Sequence, residues 1–217
     1  ALSGAVSKSA EMRIEEINAA GGINGRKLKL ITHDTRGDVN EAITALNRLV
    51  SQDNVQVVLG PPVSNIGIAI APISEELKVP IVGLFMEDRT TIREDGSVWN
   101  YMFLAQNSAA RQGQSIAAYA MKELGLKKFA TLVNTANSYS VGLAGPFMEL
   151  VKENGGEIVI EEAYNWDDKD YRAQLTNIKA TGAEAIYFPA YPPEIPLVLA
   201  QAQELGIDMY MLSSNSV

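Results

Sequence analysis

The chain has no cysteine and a single histidine among its 217 residues, and these two scarcities remove several chemistries at once. Without thiols there is no disulfide scaffold, no thiolate metal site and no cysteine nucleophile. One histidine, His33, cannot form a multi-histidine metal site, and its place at the end of an alternating apolar stretch points to a structural role. Basic residues are also few, 18 Lys and Arg against 26 Asp and Glu, for a formal net charge of −8. Phosphate backbones and anionic lipid surfaces both select clustered Lys and Arg, so no nucleic acid is an expected partner, nor is docking on anionic lipid. No apolar run approaches the roughly 20 residues needed to cross a bilayer, and no direct membrane insertion of this segment is expected. The catalytic signatures G-x-S-x-G, H-E-x-x-H, the Walker loop and G-x-G-x-x-G are all missing. No enzyme activity and no cofactor are therefore expected. The acidic run Asp167-Asp168-Lys169-Asp170 lacks the glycine and terminal glutamate of a calcium loop. It reads as a solvated loop in which Asp170 caps a helix.

What the sequence does contain is ordinary globular material, 47% hydrophobic and 20% charged, with apolar spacing that alternates between about 3.6 and 2 along the chain. Ala10, Ile14 and Ile17 line one face of a first helix. Further helices are expected at 39–50, 64–77 (kinked at Pro72), 108–124, 139–154, 170–181 and 193–205. Strands are expected at 28–32, 55–59, 80–83, 99–105, 129–133, 158–163, 185–188 and 209–212, with 55–59 buried on both faces. Regular β/α alternation implies parallel sheets flanked by helices, an α/β class. About four strands lie on either side of Gln106. The reading is two Rossmann-like lobes, residues 1–106 and 107–217. A (β/α)8 barrel is the structural alternative, but it needs about 250 residues. The first helix has no strand ahead of it, which suggests that the natural N-terminus lies upstream.

In open α/β sheets, ligands collect at the carboxyl ends of strands, beside helix N-termini. The best such place is Gly60-Pro61-Pro62-Val63-Ser64. Ser64 stands at an N-cap position, where its hydroxyl and the amides of Asn65, Ile66 and Gly67 favour an anionic group. A plain cap serving only its own helix is the competing reading. Tyr139 and Tyr191 follow equivalent strand ends and could present rings and hydroxyls to one ligand. Trp166 reads as a packing residue.

One junction is more specific. Ile17 to Lys27 reads INAAGGINGRK: paired glycines supply a left-handed helix stop, and Asn24-Gly25 adds a second reversal before the next strand. This text resembles the first helix-to-strand junction of the type I periplasmic binding proteins, in their Leu/Ile/Val-binding group. Similar matches run along the chain: Asp53-Asn54-Val55 through Gly60-Pro61, Lys78-Val79-Pro80, Gln112-Gly113, Tyr139-Ser140-Val141-Gly142-Leu143, and Gly182-Ala183-Glu184-Ala185-Ile186-Tyr187. The resemblance implies two lobes closing by a hinge on a small-molecule ligand, which passes to the membrane subunits of an ABC permease. It implies a periplasmic or extracellular location, with or without a lipid anchor. Family members are considerably longer, so the chain looks like a fragment lacking the first strand of lobe one and the crossings after 213–217. A ligand-sensing domain of a receptor or transcriptional regulator with the same fold is the alternative role. The resemblance places the carboxylate-binding serine on Ser64, its backbone partner near Phe85 and the ligand-facing tyrosines on Tyr139 and Tyr191. Glu87 stands where amino-acid binders carry a hydroxyl. Asn107 and Asn215 stand where they carry acidic anchors for the α-ammonium. A desolvated ammonium needs a carboxylate partner, so the expected ligand is a neutral amide, or an organic or aromatic acid without an ammonium.

Overall fold

The computed structural model describes residues 2–215, which form helices interspersed with short strands. The first half holds α1 (Leu2–Ala19), α2 (Val39–Ser51), β1 (Val58–Leu59), α3 (Ser64–Leu77), β2 (Ile81–Gly83), a 3-10 turn (Asp88–Thr90) and β3 (Met102–Leu104). The second holds α4 (Ala109–Lys122), β4 (Lys128–Asn134), α5 (Ser138–Glu153), β5 (Glu157–Tyr164), α6 (Arg172–Lys179), β6 (Ala185–Tyr187), α7 (Ile195–Glu204) and β7 (Tyr210–Leu212). They form two separate sheets, ordered β1-β2-β3 and β5-β4-β6-β7, with every strand pair parallel. The α/β class read from the periodicity is the one observed.

The stop after α1 is built as its glycines require. Gly21 and Gly22 have φ of 102° and 79°, and the Gly22 N–H donates to Ile17 O at 2.8 Å. A Cβ on Gly22 would lie 2.1 Å from the Arg26 carbonyl oxygen, so only glycine fits both the angle and the space. Asn24 and Gly25 also take positive φ, and Ile23 and Arg26 pair as an antiparallel bridge.

Two strand expectations are corrected. Residues 28–32 form no ladder; a strand exists only through a pairing partner, and none lies beside this stretch among the described residues. Its start is held instead by Asn18, whose carboxamide bonds both the Leu28 carbonyl (2.8 Å) and the Leu28 N–H (2.7 Å). The stretch 55–59 pairs only at Val58–Leu59 and is not buried on both faces: Val57 is 50% and Leu59 56% exposed. The sheet order explains this: among the described residues β1 is an edge strand, paired with β2 alone. In the loop expected after β2, the 3-10 turn at Asp88–Thr90 is capped by Glu87. Asp170 bonds the Arg172 N–H at 3.1 Å, although α6 takes Tyr171 as its cap.

Three hydrophobic clusters hold the elements together. Leu46, Ile66, Ile70, Ile81, Phe85 and Met102 pack α2 and α3 on the first sheet. The second sheet is buried on both faces, as parallel sheets are. Phe129, Tyr139, Leu143, Phe147 and Tyr187 lie toward α4 and α5, while Leu132, Tyr164, Leu175, Ile186 and Val198 lie toward α6 and α7. Two close approaches fix the orientation of the helices that matter below. The Phe85 ring occupies the space a Cβ would take at Gly83 of β2 and Gly67 of α3 (1.9 and 2.7 Å), which docks α3 on its sheet. Gly113 of α4 lies against the Leu143 carbonyl of α5, where a Cβ would come within 2.2 Å of the oxygen.

Gly113→Ala should therefore force α4 off α5 and destabilise the fold by about 1–3 kcal/mol in urea unfolding. Gly145→Ala, on α5 with nothing within 4 Å of its Cβ position, should be neutral or stabilising by up to ~1 kcal/mol.

Candidate ligand-binding site

Ser64 begins α3 rather than capping it; the cap position belongs to Val63, which has no side-chain bond. Freed from its own helix, the Ser64 hydroxyl reaches the loop after β2, where Oγ accepts from the N–H of Met86 (3.2 Å) and of Glu87 (3.4 Å). The backbone expected near Phe85 is thus that of the next two residues, while the Phe85 ring is fully buried in the first core. A hydroxyl has two acceptor lone pairs and one donor proton. With two N–H groups directed at Oγ, what Ser64 can still offer an outside group is its O–H. Ser64 is itself only 1% exposed.

Asn65, the next residue, reaches the opposite sheet: its Nδ2 donates to Ala136 O at 3.1 Å and its Oδ1 accepts from Ser138 N–H at 2.9 Å. The N-terminal turns of α3 and α5 are thereby joined. Both turns carry the positive end of a helix dipole, a setting that favours negative charge, and in α5 the Ser138 and Tyr139 amides are already taken by Asn65 and Asn137. Glu87 is nearby but is not a free carboxylate. It accepts from the N–H of Arg89 at 3.0 Å and from Arg89 Nε at 2.8 Å, with only 10% of its side chain exposed.

The two tyrosines come together, although not as two open ring faces. Tyr139 is fully buried and stacks on Tyr191, with centroids 4.8 Å apart and planes 10° apart. Its hydroxyl is hydrogen-bonded to Ser214 Oγ. Trp166 covers the ring of Tyr191 in turn, at 5.8 Å and 16°, and stays 40% exposed. Packing is part of what Trp166 does, as the sequence suggests. It is also the aromatic of this stack left open to solvent.

Behind the stack sits a residue the sequence reading passed over. Glu194 is only 6% exposed. It accepts from the Tyr191 N–H (2.8 Å), the Tyr164 hydroxyl (3.2 Å) and Asn134 Nδ2 (3.4 Å). The only signal in the sequence is a lone glutamate after two prolines. Its burial depends on partners 30 and 60 residues away. No hydrogen bond joins Asn107 or Asn215 to Ser64 among the described residues. The two asparagines border a cavity of about 620 Å³ between α4 and α7, together with Arg111 and Ser214. Asn107 accepts from Gln112 at its carbonyl (2.8 Å), and Asn215 Nδ2 donates to Gln106 (3.3 Å).

Some buried donors lack an acceptor among the described residues: Asn137 Nδ2 and the hydroxyls of Tyr187 and Tyr191. Burial raises Tyr187 and Tyr191 above the ordinary tyrosine pKa, as it does Tyr164, where Glu194 adds to the effect. Burial, then Glu194, pushes Tyr171 up to about 12. These hydroxyls remain proton donors at neutral pH.

Two all-parallel sheets, each flanked by helices, meet where the N-terminal turns of α3 and α5 are joined. The chain belongs to the periplasmic binding protein family, whose profile matches residues 1–217. It is 30% identical over 210 residues to an amino acid binding protein of Pseudomonas aeruginosa, covering 97% of this chain and 55% of that one. It is 24% identical to the Leu/Ile/Val-binding protein of Escherichia coli, covering 96% and 55%. Among solved structures, it resembles the branched-chain amino acid transporter substrate binding protein LivJ of Streptococcus pneumoniae, solved with isoleucine. That match has a TM-score of 0.86 and 31% identity, over 95% of this chain and 57% of that one. A solute binding protein of an ABC transporter from Rhodopseudomonas palustris, solved with 3,4-dihydroxybenzoic acid, shares the fold at a TM-score of 0.82 and 21% identity, over 94% and 56%. The chain thus spans about half the length of the relatives it matches.

The raised tyrosine pKa values fix the sign of an alkaline effect. The protonated form is the one the fold favours, so this stabilisation is complete below the ordinary value of 10.0. It is lost as pH rises from there toward and past about 12. Resistance to urea should be insensitive to tyrosine ionisation below pH 10 and fall above it. Tyrosinate absorbance should show part of the chain's eight tyrosines ionising only as the protein unfolds.

Proposed function

We propose that this chain is the ligand-capturing part of an extracytoplasmic solute-binding protein that serves an ABC importer. It would work through two lobes, residues 1–106 and 107–217, and deliver its solute to the membrane subunits of a permease from a periplasmic or extracellular position. The activity is capture and release, with no bond chemistry. The ligand is a small organic acid, aromatic acids included, without an α-ammonium group; a neutral amide is the second choice.

One observation carries the choice of ligand: the site is rich in donors and has no uncommitted carboxylate. Ser64 retains its O–H, Asn137 and Tyr191 have buried donors without acceptors, and the first turns of α3 and α5 add partial positive charge. Leaving a buried donor unpaired costs about 1–3 kcal/mol, which an acceptor-rich ligand would recover. An ammonium would find no comparable partner. Glu87 is tied to Arg89 and Glu194 to the Tyr191 loop, while Asn107 and Asn215 offer only amide dipoles. Proteins of the same fold have been solved with 3,4-dihydroxybenzoic and p-hydroxybenzoic acid, which fit this description, and others with isoleucine or leucine, which carry the ammonium.

Isothermal titration of the full chain with 4-hydroxybenzoate, 3,4-dihydroxybenzoate, benzamide, leucine and isoleucine tests the reading. A carboxylate without an ammonium should bind, and Ser64→Ala should weaken it roughly 10- to 100-fold, the worth of a hydrogen bond to a charged group. Tight binding of leucine or isoleucine, with no response to the acids, would refute the ligand class.

A further inference from the structure

We propose that Asn65 is a positioning residue that latches the two lobes together over the ligand site. This rests on the two-lobe reading above. The Asn65 carboxamide is used at both ends, donating to the Ala136 carbonyl at 3.1 Å and accepting from the Ser138 N–H at 2.9 Å. The two contacts lie 71 and 73 residues away in sequence. The Ser138 amide belongs to the first turn of α5, where the helix supplies no partner of its own. Asn137 caps α5 through the Tyr139 N–H at 3.0 Å. Asn65 therefore supplies a second cap to α5 from the other lobe.

Its surroundings strengthen the same contact. Arg89 Nη2 lies 3.5 Å from Ser138 Oγ. Glu87 packs so closely on α5 that a Cβ at Gly142 would come within 2.9 Å of its Cγ. The first-sheet core and the second-sheet cores are otherwise distinct. Met86 packs with the second-sheet core on the connecting side, where its carbonyl accepts from Ala109 N–H at 2.7 Å.

The contact is thus polar and small beside the cores it joins, the kind of boundary across which domains move. Its hydrogen bonds exchange for water on opening, so the latch is reversible. It also covers what a ligand must reach: Ser64 is 1% exposed, and Asn137 and Tyr139 are fully buried. A ligand gains access when the Asn65 bonds break, and it is retained when they re-form. Asn65 would then govern the release rate more than the chemical selectivity, which lies with Ser64 and the stacked aromatics.

The test uses distance measurement in the full chain. Because the chain lacks cysteine, Glu76→Cys on α3 and Glu149→Cys on α5, both exposed, can be spin-labelled selectively. Without ligand, Asn65→Ala should shift the interlobe distance distribution to longer values, moving the closed-to-open ratio on the order of tenfold. The circular dichroism spectrum and unfolding midpoint should stay close to the parent's. Gly142→Ala should shift the distances in the same direction with Asn65 intact, by pushing Glu87 away. A parental distribution in Asn65→Ala overturns the latch, as does a lowered midpoint with unchanged distances. Repeating the measurement with 4-hydroxybenzoate separates the two proposals. If the ligand reading fails, the acid moves nothing while Asn65→Ala still opens the lobes. If the latch fails, Asn65→Ala is parental whether or not the acid binds.

Discussion

The first turn of α3 is the joint on which the rest of the molecule depends. Ser64 ties it to the loop after β2 through two backbone amides, and Asn65 ties it to the start of α5 through a carboxamide used at both ends. Behind these bonds, the Phe85 ring holds α3 against Gly67 and Gly83, so the turn cannot rotate without disturbing the first core. On the other side, Gly113 lets α4 approach the Leu143 carbonyl and fixes α5. Two rigid platforms thus present their helix N-termini to each other, joined by a few exchangeable hydrogen bonds. Buried apolar packing sets where the turns are, and polar contacts set whether they touch.

The same joint gives the site its electrostatic character. Helix N-termini carry partial positive charge, and the carboxylates that could offset it are already occupied. Glu87 closes its own 3-10 turn and holds Arg89, while Glu194 is buried under Tyr191 with three donors around it. Glu87 is thus bound into its own turn through Arg89. Glu194 shapes the aromatic stack from behind, holding the Tyr191 backbone so that Tyr139, Tyr191 and Trp166 lie face to face.

The sequence made the layout legible because α/β alternation is a local signal. Each helix carries its own apolar stripe, and the glycines at 21, 22 and 25, all at positive φ, mark a stop where Gly22 has no room for a side chain. The tyrosines at 139 and 191 were legible as a pair because both follow strand ends. What could not be read depends on partners distant in sequence. Residues 28–32 alternate like a strand yet form none, because pairing is a property of neighbours. Val57 and Leu59 look like core and are exposed, because burial depends on strand order. Asn65 has no pattern of its own: a polar residue in the first turn of a helix is common, and only its contacts 71 and 73 residues away give it a role. Ser64 heads α3 as its first residue rather than as the cap the sequence indicates, and its hydroxyl serves two amides of the loop after β2, a partner no local pattern announces.

In the proposed function, ligand oxygen atoms are received at the Ser64 turn once the lobes part. A crystal structure of the full chain with 4-hydroxybenzoate tests it most directly. A carboxylate oxygen should lie about 3 Å from Ser64 Oγ, beside the first turns of α3 and α5, with the Asn65 bonds re-formed over it. A ligand held instead in the cavity between Asn107 and Asn215, with Ser64 still covered, would contradict it.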